Sequence, residues 1–133
     1  MLCVNTYPQT YVDACRARMA GALARFRALK AAAGDIAGFE QAYFEAQILA
    51  LEMAFVHRGR GQEGKDGNPL NELRMLAMAI LSQGGVVTAD KTIRYDPARS
   101  VLGIAVGAPV TVTADGFGRL AEAVFAEVGR RFG

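Results

Sequence analysis

The 133-residue chain has no tryptophan, one histidine, two cysteines and four prolines. Cys3 and Cys15 are too few for a disulfide framework. A lone His57 leaves a zinc centre without its usual ligand set, so no metal and no cofactor are expected. No run of about 18 apolar residues is free of charge, which argues against a transmembrane helix. The opening MLCVNTYPQT lacks the basic start and apolar run of a secretory signal. A reducing cytoplasm is the expected location. The net charge of +2 is too small to suggest a nucleic-acid partner.

What is present is apolar and periodic. Hydrophobic residues make up 52% of the chain, enough to argue against disorder and for one globular domain over residues 1–133. Val12, Cys15, Met19, Ala22, Phe26 and Leu29 follow a 3,4 spacing, which predicts a first helix over about residues 9–33. A second helix is expected over about 36–57. Phe44, Ile48, Leu51 and Phe55 form one of its seams, and Ala42, Ala46, Leu49, Met53 and Val56 another. Only Gln41, Glu45 and Glu52 make a polar strip, a pattern expected of a centrally buried helix. Residues 1–34 carry five bases against one acid, and 35–56 carry four acids and no base. This balance predicts a helical hairpin with complementary charged flanks.

The stretch HRGRGQEGKDGN (57–68) reads as a glycine-rich, basic, solvated loop. Asn68 then suits an N-cap and Pro69 the first position of a third helix reaching about residue 83. Leu70, Leu73, Leu76, Ala77 and Ile80 line its expected core face, with Met75 and Met78 opposite. Beyond it the period shortens. SVLGIAV, GAP and VTVT predict strand, turn and strand, with a further strand near Val86 or Ile93. Thr113 or Asp115 can cap a last helix facing inward with Phe117, Leu120, Ala121, Val124 and Val128. The expected fold class is α+β: four helices, with a short antiparallel β-hairpin before the last. KDGNPLNELRM (65–75) and SVLGIAVGAPVTVT (100–113) resemble segments of small bacterial proteins with no activity attached. That resemblance covers roughly residues 50–133 and implies no site residues.

Motifs with chemical meaning are incomplete. GRGQEG (59–64) matches G-x-G-x-x-G, but a helix precedes it where a dinucleotide fingerprint needs a strand. Gly59–Lys65 matches G-x-x-x-x-G-K, but Asp66 stands where a P-loop needs Ser or Thr. A looser reading survives, in which Arg58, Arg60, Lys65 and Asn68 hold a small anion beside the third helix's N-terminus. Catalysis by His57 with Glu52 or Asp66, or by the Glu45/Glu52 strip, lacks a complete constellation, and no catalytic residue is assigned. The leading functional reading is a non-catalytic, self-associating module, most simply a homodimer. It rests on the small face of the first helix (Ala17, Gly21, Ala24, Ala28) and on Met75 and Met78.

Overall fold

The computed structural model describes residues 4–57 and 59–133, with the backbone alone at Arg60. Its elements are α1 (Gln9–Ala33), α2 (Ala37–Ala54), α3 (Pro69–Ser82) and α4 (Ala114–Phe132), with 3₁₀ turns at Arg60–Gln62 and Pro97–Arg99. No helix among the described residues is long and apolar enough to cross a membrane. The heptad spacing of α1 buries Cys15, Met19, Ala22 and Phe26. Leu29, the end of that series, is exposed. α4 buries all five residues its periodicity selects, and Phe125 and Phe132 as well.

α1 runs antiparallel to both α2 and α4. Tyr11 and Tyr43 donate hydroxyl hydrogen bonds across the α1–α2 contact to the Ala54 and Ala22 carbonyls, at 2.5 and 3.2 Å. Phe26 stacks on Phe39 and Tyr43 at the other end. The charges pair differently from the expectation. Arg16 meets Glu122 and Arg27 meets Asp115, both on α4, and only Lys30 reaches an α2 acid, Glu40. The bases of α1 therefore meet the acids of α4 more than those of α2. Each of these pairs joins at least one strongly exposed side chain, where ion pairs contribute little.

The expected β-hairpin is absent, so the α+β class gives way to a four-helix, mostly helical fold. Among the described residues there is no strand, only an isolated antiparallel bridge between Val86 and Pro109. The turn itself forms: Ala108 N–H donates to the Ala105 carbonyl, and Gly107 sits at φ +90°. Its two arms then part because helix side chains supply the partners a strand would have offered. The Val101 and Leu102 amides donate to the two Glu72 carboxylate oxygens of α3, at 2.8 and 2.9 Å. The Val112 amide donates to Gln41 Oε1 and the Ala114 amide to Glu40 Oε2, both on α2. Gln41 also donates back to the Val110 carbonyl. Period-two alternation was thus a true sign of extended chain, with Val110 and Val112 buried, but not of strand pairing.

Glu72 makes this arrangement testable. It is 1% exposed, and burial pushes its carboxyl above the usual value, opposed by the Leu102 and Val101 amides and by Arg119. Glu72→Gln offers one acceptor and one N–H₂ to two N–H donors. The expected loss is about 1–3 kcal/mol, the cost of an unmet buried donor. A folded-state pKa above the unfolded one means that protonation favours folding. Stability from Glu72 therefore rises as pH falls through the raised value, and levels off below the unfolded one. The urea-denaturation gap between wild type and Glu72→Gln should widen as pH falls from neutrality toward the range where an ordinary carboxyl titrates. A constant or narrowing gap would refute the burial argument.

Candidate functional site

The densest polar construction surrounds the start of α3. Asn68 is the N-cap: its Oδ1 accepts from the Leu70 and Asn71 amides at 2.8 and 3.3 Å, and Pro69 needs no donor partner. Its Nδ2 donates to the Glu63 carbonyl and to Asp66 Oδ1. Asn71, one turn on, accepts from the Gly67 amide and donates to Glu63 Oε2 and the Gly64 carbonyl. Glu63 is thereby drawn inside, 1% exposed, where Arg74 forks onto its carboxylate through Nε and Nη2. Burial works against the Arg74 charge, and the hydrogen bond and charge of Glu63 outweigh it, so the guanidinium pKa is raised.

Residues 59–68 are accordingly a connection pinned from inside by buried Gly59, Glu63 and Asn68, with Gly61, Gly64, Lys65 and Asp66 left at the surface. Gly67 is required twice over. It adopts φ +86°, and a Cβ there would strike the Arg94 carbonyl. The Arg94 amide donates to the Lys65 carbonyl at 2.9 Å, so the 93–96 strap is laced onto this connection.

Two clefts open beside the network. The first, about 220 Å³, is lined by Asp66, Arg94, Asp96, Arg99, Glu127 and Arg130 around Asn68. The second, about 240 Å³, holds Lys65, Glu63, Arg74 and Asp90 with Met78. Of the expected anion-site residues, the two whose side chains are described fall on different clefts. Asn68 lines one cleft and Lys65 the other. Arg58 lies outside the described residues, as does the side chain of Arg60. The α3 N-terminus is occupied, since its first free amides already bond Asn68.

No protein-family model, curated protein or solved structure matches this chain significantly.

The site must be read from its own chemistry. In the first cleft every carboxylate is engaged. Glu127, 3% exposed, is held by both Arg130 and Arg131. Asp66 receives Asn68 Nδ2 and Arg131 Nη2, and its pKa is lowered by the Asn68 hydrogen bond first and by Arg131. Asp96 caps the 3₁₀ turn by accepting from the Ala98 amide at 3.0 Å. By contrast, the Arg94 and Arg99 side chains have no hydrogen-bond or ion-pair partner among the described residues.

The catalytic candidates do not assemble. His57 Nδ1 stands 3.9 Å from Glu52, beyond hydrogen-bond reach, and Asp66 belongs to Arg131. Glu45 accepts from Gln41, whose other bonds hold the 110–112 backbone. Among the described residues, no group of three or more His, Cys, Asp or Glu is placed to hold a metal ion.

The sequence pattern points to none of Arg94, Arg99, Arg130 and Glu127, because they come from segments remote in the chain. A usable signal lay in DGNP: so many turn-forming residues just before a helix mark a fixed junction.

Proposed function

We propose that the protein is a non-catalytic module that acts as a homodimer, associating through the outer face of α2. The supporting observation is the exposure pattern of that helix. Its exposed residues are Ala37, Gly38, Phe39, Ala42, Ala46, Ala50 and Met53, without a polar side chain among them. Phe39 and Met53 are 49% and 56% exposed. The second apolar seam of α2, expected to be buried, is thus left uncovered except at Val56 and partly at Leu49, while Phe44, Ile48, Leu51 and Phe55 fill the core opposite.

The spacing of this stripe is its own mirror image about Ala46. Ala42 and Ala50 lie four residues either side, and Phe39 and Met53 seven. At about 100° per residue all five fall within a stripe about 80° wide. Two copies crossing antiparallel at Ala46 would bring Phe39 of each against Met53 of the other. Small alanines would sit between them, where the backbones approach most closely. A two-fold axis needs such self-complementarity. α1 is the weaker candidate, because its exposed alanines are interleaved with Arg16, Arg18, Arg25, Arg27 and Lys30. On α3, Met78 is exposed but Met75 is buried, so the expected pair of outward methionines is reduced to one. The proposal includes a cytoplasmic location, where the buried thiol of Cys15 stays reduced.

Light scattering should give twice the 14.2 kDa chain mass, and Ala46→Glu should return it to the monomer value. In a Cys3→Ser background, Ala46→Cys should form an intermolecular disulfide on oxidation. A monomeric wild type would end the proposal. A dimer indifferent to Ala46→Glu would move the contact off α2.

A further inference from the structure

We infer that the cleft between the Asp66–Pro69 turn, the 94–99 strap and the end of α4 binds a phosphate group, with Arg94 and Arg99 as its principal ligands. Two separately anchored elements, the strap and α4, deliver three guanidiniums to this cleft. Arg94 is positioned by the strap's backbone bond to Lys65 and its close approach to Gly67. Arg99 ends the 3₁₀ turn that Asp96 caps. Arg130 comes from the last turn of α4, beside the buried Glu127.

The lining carries three guanidiniums, Arg94, Arg99 and Arg130, and three carboxylates, Asp66, Asp96 and Glu127, but all three carboxylates are already engaged. Arg131 bridges two of those carboxylates, Asp66 and Glu127. The two side chains left without partners are both cations, and planar guanidinium forks match the oxygens of a phosphate. A space of about 220 Å³ is smaller than the roughly 300–1,000 Å³ of drug-sized sites, which suits a single anionic headgroup. Free phosphate and a small phosphate monoester share this chemistry. No α2 residue lines the cleft, so the site stands or falls apart from the dimer.

The test is a titration of the full chain with inorganic phosphate at fixed ionic strength, followed by amide NMR shifts. Saturable shifts are expected at residues 66–68, 94–100 and 127–131. Arg94→Gln/Arg99→Gln should weaken binding at least about tenfold, since each removes a charge-assisted hydrogen bond. Both residues are exposed, so the variant should keep the wild-type melting temperature. Lys30→Gln, beside the start of α4 and remote from its last turn, should bind as wild type. Glycerol phosphate binding more tightly than inorganic phosphate would identify a monoester site, and the reverse order a site for the free ion. Absence of saturable binding, or binding unchanged in the double variant, would overturn the assignment. Shifts confined to 57–65 would return the anion to the glycine-rich segment and overturn it equally.

Discussion

Arg74→Met is expected to destabilise the protein by about 3–5 kcal/mol, because it strands a carboxylate in the interior. The side chains of Glu63 and Arg74 are 2% and 12% exposed, and the fork between them is the only cationic contact of Glu63 among the described residues. The remaining partner of the carboxylate is Asn71 Nδ2, at 2.7 Å. One neutral donor does not replace a guanidinium in a low-dielectric site. Glu63→Leu/Arg74→Met should recover part of the loss, since it removes both charges together. Recovery should be incomplete, because Asn71 then loses an acceptor. Urea denaturation of the two variants provides the measurement. A cost below about 1 kcal/mol for Arg74→Met would show the pair to be solvated.

Phe44→Ala should cost a comparable amount, about 3–5 kcal/mol. Its ring is fully buried and joins three helices. It meets Phe26 of α1 edge-on at 4.9 Å, Tyr43 of its own helix at 5.1 Å and Phe117 of α4 at 5.4 Å. Removing it opens a cavity between elements that cannot all close on one point. Phe39→Ala, five residues earlier on the exposed stripe, is the internal control. It should cost under about 1 kcal/mol in the monomer while weakening self-association. A small effect at Phe44 would mean that α2 meets the other helices by a different face.

These contrasts mark what a reader of the sequence could and could not obtain. The core faces of α1 and α4 were legible because one apolar stripe faces one direction. α2 carries two apolar seams, and periodicity cannot say which meets the interior. Its polar residues carried that information. Glu40 and Gln41 lie on the side where backbone amides of the 110–114 segment needed acceptors. The hairpin was misread for a related reason. Alternation in VTVT reports an extended, half-buried chain, and the identity of its partner is a tertiary fact. Likewise nothing in composition distinguishes Glu63, Asn71, Glu72 and Arg74 from ordinary surface polar residues, whereas pairing between positions 8–30 residues apart permits their burial. The first cleft was invisible, since its walls come from residues 66–69, 94–99 and 127–130.

The way the 101–114 segment is held has a consequence for how the protein tolerates change. In a β-ladder both partners of every bond belong to the main chain, so substitutions leave the bonding groups in place. Here the amides of Val101, Leu102, Val112 and Ala114 depend on three side chains, Glu72, Gln41 and Glu40. The genetic code can delete these acceptors one at a time. Residues 107–110 keep main-chain bonds to 85–87, but the two ends of the segment inherit the mutational sensitivity of the helices that face them, and a single codon change in α2 or α3 removes the acceptor of a backbone amide about 30–70 residues away.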